Sequence, residues 1–410
     1  MTAILAYLDV DGSPRRVGTA YANVRRGQLS STFTYDPGYL GRPDAYPIDP
    51  SHTLAGGSWP RVRGLPRAFD DAAPDRWGRN LIAKRRRLES SASRGPMPQL
   101  DDSDYLLGVS DLTRQGALRF KVDTDGDFQH PAADVPKLLA LPALRHAAEQ
   151  VARDGPHDDS AVKVLLDAGT GSLGGARPKA SVRDGDRLLM AKFGHPEDGW
   201  NVMAWEKTAS DLALAAGISV PPSQLLEVDG HAVLLIERFD RRQEARLGYI
   251  SAMTLLEAAD GETRDYVELA EAIPGHSAEP SADLRQLWRR IAFSIAVHNT
   301  DDHLRNHGFL RHRSGWRIAP AFDVNPNPEA GARRVTSIGG AGDAVAEVES
   351  LLGYASTFGL TTVEARATLH AVAEAVSGWQ SAARSNGISA AEISRFAPVI
   401  TEALKIITNT

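Results

Sequence analysis

His298-Asn299-Thr300-Asp301-Asp302-His303-Leu304-Arg305-Asn306, followed by Pro320-Ala321-Phe322-Asp323-Val324-Asn325, is the part of this chain that decides its fold. Asp301 precedes Asn306 by five residues, and Asp323 comes about twenty residues on, after a strand-like run. Two carboxylates and an amide on two loops are hard oxygen donors, which suit Mg²⁺ well and a soft metal poorly. Taken alone, an Asp-x₄-Asn pair is more often a polar loop with capping side chains. The rest of the chain changes that balance, beginning with the segment just upstream. Leu284, Leu287, Trp288, Ile291, Ala292 and Ile295 recur at helical spacing and predict a buried helix that delivers residues 298–306 onto a loop.

The composition sets the frame. A chain of 410 residues is long enough for two or three structural units with a large core. Its hydrophobic share of 42% and charged share of 24% are those of an ordinary globular protein. No apolar run approaches the roughly eighteen residues of a membrane span. Met1 to Asp9 lacks the basic region and long apolar core of a secretory signal, so the expected compartment is the cytoplasm. Zero cysteines exclude disulfides, thiolate zinc sites and cysteine nucleophiles. A net charge of −6 argues against a free-standing nucleic-acid binder, and the basic run Arg79 to Arg87 reads as a solvated helix face. Only eight of the 46 basic residues are Lys, so Lys179 and Lys192, close together in sequence, carry weight.

Outward from the two loops, the chain changes character. Ile4 to Val10, Val17 to Val24 and Leu29 to Tyr35 read as strands, with a turn at Asp11-Gly12. A Pro/Gly-rich stretch from Pro37 to Pro66 precedes a helix opening near Asp75, with Trp77 and Leu81 on one face. A linker-like patch, Asp123 to Asp134, follows. Lys179 to Val182 and Arg187 to Phe193 read as a hairpin turning at Asp184-Gly185. Asn201 to Ala216 reads as a helix with Trp205, Ala209, Leu212 and Ala216 on one stripe and Gly217 as its stop. Leu225 to Val228 and Ala232 to Ile236 form a further pair around Asp229-Gly230. Beyond Arg242 strand signals fade, and Thr361-x-x-Glu364 and Ser389-x-x-Glu392 have capping-box spacing.

The segment Gly169-Thr170-Gly171-Ser172-Leu173-Gly174-Gly175-Ala176-Arg177-Pro178-Lys179 is a Gly-rich loop opening that hairpin. Glycines let backbone N–H groups approach phosphate oxygens, and such a concavity binds anions. No Gly-Lys-Ser/Thr closes it, so it is not a Walker A loop. Lys192 ends the adjacent strand, where a phosphate-binding lysine belongs, and Glu206 on the next helix either positions it or faces solvent. With an Asp-x₄-Asn loop and a later Asp, this is the layout of a kinase: one carboxylate orients the acceptor hydroxyl, while a carboxylate and an amide hold Mg²⁺ against the nucleotide phosphates.

These residues resemble the HipA toxins, serine/threonine kinases of bacterial toxin–antitoxin modules, over nearly the whole chain. The carriers are Leu65-Pro66-x-x-Phe69, Ala73-Pro74-Asp75, Gly116-Ala117-Leu118 and Ser172-Leu-Gly-Gly-Ala-Arg-Pro-Lys179. Glu237-Arg-Phe-Asp-Arg241, Asn299-Thr-Asp-Asp-His303-x-x-Asn306 and Pro320-x-x-Asp323 complete the set. The resemblance implies an α+β, two-lobed protein-kinase-like fold with an N-terminal β-rich subdomain and a helical C-terminal lobe. The implied division is 1–125 for the β-rich subdomain, 126–242 for the small lobe with Gly-rich loop and hinge, and 243–410 for the helical large lobe.

It further implies ATP/Mg²⁺-dependent phosphorylation of a translation component of the aminoacyl-tRNA synthetase class. A small helix-turn-helix, HipB-like antitoxin is the implied partner, through which alone the protein meets operator DNA. Some family members phosphorylate a serine in their own Gly-rich loop, the position of Ser172. In these terms Asp301 orients the acceptor, and Asn306 and Asp323 hold Mg²⁺. Lys192 contacts phosphates, and Gly174, Gly175, Ala176, Arg177, Pro178 and Lys179 cover them. The backbone of Glu237, Arg238 and Phe239 reads adenine. Leu304, Arg305 and Phe322 border the nucleotide, and His303 either lines that pocket or steadies Asp301. The chain departs from protein kinases at large: it has no His-Arg-Asp, no Asp-Phe-Gly and no Ala-Pro-Glu. Two other classes share parts of the pattern, a small-molecule kinase of the aminoglycoside or choline type and a non-catalytic co-repressor acting with an antitoxin.

Overall fold

A computed structural model describes residues 1–10, 12–93, 95, 99–129, 135–153, 159–169, 177–243 and 245–410. The chain separates into two compact units: Met1–Glu197 with Val228–Ile250, and Asp198–Glu227 with Ser251–Thr410. Among the described residues, no helix is long and apolar enough to cross a membrane.

The first unit is built on sheets. Thr2–Val10, Ser13–Arg25 and Gln28–Tyr35 form an antiparallel meander, extended by Trp59–Arg61 at one edge and Leu118–Lys121 at the other. The three expected strands are therefore present, while Asp11 of the first turn lies outside the described residues. Alternation places Ile4, Ala6 and Leu8 on one buried face, where Phe33, Phe69 and Phe120 pack ring against ring. Gly18 is required there, because a Cβ would stand 2.3 Å from the Thr34 carbonyl and 2.5 Å from the Phe33 ring.

Helix Arg76–Ala92 starts where expected, but Asp75 is its N-cap rather than a first-turn residue: its Oδ1 accepts from Gly78 N at 2.7 Å. The helix buries Trp77, Leu81 and Ile82. Its basic run is matched inside the unit. Arg79 pairs with Asp102 at 2.8 Å, Arg86 with Glu89 at 3.2 Å, and Lys84 donates to the Val151 carbonyl at 2.9 Å. A second antiparallel set joins Lys179–Asp184, Arg187–Phe193 and His231–Glu237, with Lys179 opposite Lys192 and Lys192 opposite Leu234.

The second unit is mostly helical. Helix Val202–Ala215 belongs to it, capped by Asn201, whose side chain accepts from Ala204 N at 3.1 Å, and followed by Gly217 at φ +75°. The predicted stripe of Trp205, Ala209, Leu212 and Ala216 is buried. Trp205 stacks on Phe396 of helix Ala390–Thr408 at 3.8 Å between ring centroids. Glu206, open between two roles in the sequence, is buried. Thr361 and Glu364 form the complete capping box expected of them. Ser389 caps its helix alone, because Glu392 instead accepts from Asn201 N at 3.1 Å and Trp205 Nε1 at 3.2 Å. Helix Pro280–Ala296 runs through the core with every predicted stripe residue buried. Most of the strands thus lie in the first unit, beside helices such as Arg76–Ala92, and the second unit is mostly helical, which is the α+β class that the sequence indicates.

Candidate functional site

Helix Pro280–Ala296 ends in Val297, and the chain then turns through His298 at φ +54°. Left-handed backbone at a non-glycine residue is uncommon and persists only where neighbours enforce it. Here Asn327 does so: its N–H donates to the His298 carbonyl at 3.0 Å, while His298 Nδ1 donates to the Asn327 carbonyl at 2.6 Å. Asn327 Nδ2 also donates to Thr300 Oγ1 at 2.8 Å. The loop's other side is held by Arg334, which donates to the Asn299 carbonyl and reaches Glu347 at 3.0 and 3.1 Å. Burial works against the Arg334 charge, but Glu347 outweighs it and raises the affinity for the proton. The two loops are thereby joined into one rigid piece.

Two adjacent aspartates then part company. Asp302 is buried; Tyr266 Oη and Ser294 Oγ donate to its Oδ2, the latter at 2.9 Å, and His307 Nε2 stands 3.0 Å from its Oδ1. Burial pushes the Asp302 carboxyl up, yet His307 and the Tyr266 hydroxyl more than offset it and hold the carboxyl well below its ordinary range. The same contact, added to burial, pushes the Tyr266 hydroxyl well up. Asp301 is exposed instead, and its backbone carbonyl accepts from Asn306 Nδ2 at 3.1 Å. That bond turns the Asn306 amide so that nitrogen faces the loop. No described residue donates to the remaining oxygen, Oδ1.

The second Asp stands on irregular chain after the hairpin Gly308–His312 and Gly315–Ile318. Asp323 has φ +57°, a second enforced left-handed residue. Its segment is tied down by Ala321 N donating to the Ser219 carbonyl at 2.7 Å and by Arg290 donating to the Ala319 carbonyl at 2.5 Å. Asn325 Nδ2 lies 3.4 Å from Asp323 Oδ1, and Asn325 Oδ1 is buried with no hydrogen-bond partner among the described residues. Asn306 lines one cavity of about 20 Å³ together with Phe322 and Val324, the neighbours of Asp323. Asn306, Asp323 and Asn325 are all oxygen donors, a set that fits Mg²⁺, which keeps several waters and takes only one or two carboxylates. Among the described residues no group of three or more His, Cys, Asp and Glu could hold a metal ion.

Around these, Leu304 is buried, Arg305 is half-buried with Asp260 3.5 Å away, and Phe322 is half-buried. His303 gives its carbonyl to Asn306 N at 2.8 Å, and its Nδ1 is buried with no hydrogen-bond partner among the described residues. It makes no bond to Asp301. Asn325, Asn327, Tyr266, Arg334 and Glu347 were not singled out in the sequence. The alternation Asp323-x-Asn325-x-Asn327 was a legible signal for the first two, whereas the other three lie far along the chain with no motif of their own.

The first unit holds the remaining candidates. Ser172, Gly174, Gly175 and Ala176 lie outside the described residues. Pro178 is buried and its carbonyl accepts from Phe193 N at 2.9 Å, next to the half-buried Arg177. Lys192 is buried. Lys179, expected over the phosphates, is buried with its ammonium against Asp75 Oδ2. Glu237 ends its strand, paired with Leu189, and Arg238 N then donates to the Leu188 carbonyl at 3.1 Å. Arg238's side chain points back into the unit, to Asp240 at 2.6 and 2.7 Å and to the Thr113 carbonyl at 2.9 Å. Burial raises the Asp240 carboxyl, but Arg238 and Arg241 hold it well below its ordinary range.

Comparison with known proteins follows the same outline. The HipA N-terminal domain matches residues 8–97, and the HipA-like C-terminal domain matches residues 171–379. A putative kinase, Y4mE, of Sinorhizobium fredii is 29% identical over 128 residues, 28% of this chain and 30% of that protein. A putative kinase of Haemophilus influenzae is 29% identical over 132 residues, 28% of this chain and 38% of its own length. The chain therefore spans only about a third of the curated relatives it matches. A chain from the Shewanella oneidensis MR-1 toxin–antitoxin complex of HipA, HipB and operator DNA superimposes with a TM-score of 0.71 at 15% identity, covering 99% of this chain and 97% of that one. That likeness extends the shared fold to the whole length, and since the C-terminal domain alone spans more than half of the residues, this chain belongs to the HipA family.

Proposed function

We propose that this protein is an ATP- and Mg²⁺-dependent serine/threonine protein kinase and the toxin of a toxin–antitoxin pair. The observation that carries it is the division of labour between two neighbouring aspartates. Asp302 is spent on buried partners, which leaves Asp301 exposed on a loop fixed from both sides. A rigid loop presenting one carboxylate is what orientation of an acceptor hydroxyl requires. Asp301 accepts a hydrogen bond from that hydroxyl and takes its proton as transfer proceeds. Asn306 and Asp323 would hold Mg²⁺, with Asn325 beside Asp323. When bound, the ion neutralises charge on the phosphates.

Lys192 is assigned to the nucleotide phosphates, and the backbone of Glu237 to Phe239 to adenine. The modules 1–125, 126–242 and 243–410 stand as the functional division, Ser172 as an autophosphorylation site, and the cytoplasm as the compartment. The substrate class is a translation component such as an aminoacyl-tRNA synthetase. A HipB-like helix-turn-helix antitoxin is the partner, a reading supported by the likeness to the Shewanella HipA seen with HipB and operator DNA.

Incubation with labelled Mg·ATP, with Asp301→Asn as control, tests the reading. Label is expected on protein substrate and on Ser172 in wild type, and on neither in the variant. Transfer to sugars or amines but not to proteins would point to a small-molecule kinase, and absence of any transfer would leave a co-repressor. Expression together with the neighbouring reading frame, followed by mass spectrometry, checks the antitoxin.

A further inference from the structure

The strand that carries Lys192 does not hold itself in place. Its neighbour Lys179–Asp184 is anchored at Lys179, directly opposite Lys192, by two groups from the helix start at Arg76. Trp77 Nε1 donates to the Lys179 carbonyl at 3.3 Å, and Asp75 Oδ2 takes the Lys179 ammonium while Asp75 Oδ1 caps the helix. A second anchor lies at Thr113. Its hydroxyl donates to the Gly169 carbonyl at 2.7 Å, and its own carbonyl accepts from Arg238 at 2.9 Å. Gly169 sits at φ +67° with its Cα so close that a Cβ would stand 2.5 Å from Thr113 Cγ2. Three residues further on, Gly116 N donates to Asp240 Oδ2 at 2.7 Å, and Arg241 donates to the Arg114 carbonyl at 2.6 Å.

Each of these bonds joins a buried or half-buried group of the N-terminal 120 residues to Gly169, Lys179, Arg238, Asp240 or Arg241, on the segments that lead to the proposed nucleotide contacts. From this we infer that Asp75, Trp77 and Thr113 are positioning residues for nucleotide binding. They fix where Lys192 and the 237–239 segment stand, without touching nucleotide themselves. The inference rests on the proposed nucleotide role of those two segments. It gives the N-terminal subdomain a part in the reaction besides any partner contact. Two buried lysines on opposite cross-strand positions also need a counter-charge, and Asp75 supplies it for Lys179.

The test uses full-length protein with Thr113→Val, which keeps shape and loses the hydroxyl, Thr113→Ser, which restores it, and Trp77→Phe, which loses the indole N–H together with part of a buried ring, a packing loss that Tm reads separately. Three quantities are read: the KM for ATP against kcat, amide exchange in peptides covering 187–193 and 231–239, and Tm. Thr113→Val and Trp77→Phe should raise KM roughly tenfold, the factor that loss of one positioned hydrogen bond gives. They should leave kcat within about twofold and speed exchange in both peptides, with Thr113→Ser returning to wild type. A merely structural contact would lower Tm and leave KM and the exchange of those two peptides unchanged, and that result overturns the inference while the kinase reading survives. Failure of the wild type itself to bind Mg·ATP overturns both.

Discussion

Asp301 and Asp302 are adjacent in sequence and opposite in use. Asp301 is exposed, whereas Asp302 is buried in the Tyr266–Ser294–His307 pocket. Asp301→Asn should therefore lower phosphoryl transfer by about 10²–10⁴-fold while nucleotide affinity and Tm stay near wild type. Asp302→Asn should do the reverse in kind, because it strips charge from a buried group that His307 and Tyr266 were arranged around. Unfolding in urea should show it less stable by about 3–5 kcal/mol.

That difference carries a pH signature. The Asp302 carboxyl is held below its unfolded value, so its contribution is fully present above about pH 4–5 and is lost as the pH falls through the folded value. Urea melts of wild type and Asp302→Asn should stay a constant distance apart from neutrality down to about pH 5 and draw together on further acidification. Curves that stay a constant distance apart to the lowest pH would mean that the Asp302 carboxylate makes no such contribution.

At the scale of elements, two helix starts with the same spacing turn out to differ. Thr361 and Glu364 cap one another at the surface, so Thr361→Ala should cost about 1 kcal/mol and nothing else. Glu392 leaves its own helix end to serve another, accepting from Asn201 N and from the buried Trp205 indole. Glu392→Ala strands two donors, one of them in the core, and should cost about 2–4 kcal/mol, at about 1–3 per orphaned buried group. Thermal melts of the two variants order them: if Thr361→Ala is the more damaging, the long-range role of Glu392 is wrong. Spacing alone could not separate these helices, because a capping box is local and Trp205 is 187 residues away.

For the whole molecule, the arginine-rich composition has a structural use. Arg114 and Arg238 lie buried, and Arg241 and Arg246 half-buried, around Asp111 and Asp240; the first three are tied to backbone carbonyls from residues 72 to 116, and Arg246 pairs with Asp111 at 3.2 Å. Guanidinium suits this, since it offers five donors in a fixed fork. A chain starting at residue 126 would leave Arg238, Asp240 and Arg241 without Thr113, Arg114 and Gly116. Such a fragment should lack a cooperative melt and expose apolar surface, visible by circular dichroism and dye binding. A sharp transition near the wild-type Tm would show that residues 126–410 fold unaided.

The sequence by itself determined the first three strands, the hairpin at 179–193, the helices near 76, 202 and 280, the position of the two polar loops and the family they belong to. Those are local properties: periodicity sets the helices 202–215 and 280–296, and Gly or Asp marks the turns at 185, 217 and 229. Tertiary structure alone decided which carboxylate is buried, since that depends on Tyr266 and His307 arriving from elsewhere. It also brought Lys179 against Asp75, 104 residues earlier in the chain. A buried charge takes whichever opposite charge folding brings within reach, and no spacing in the sequence records that choice.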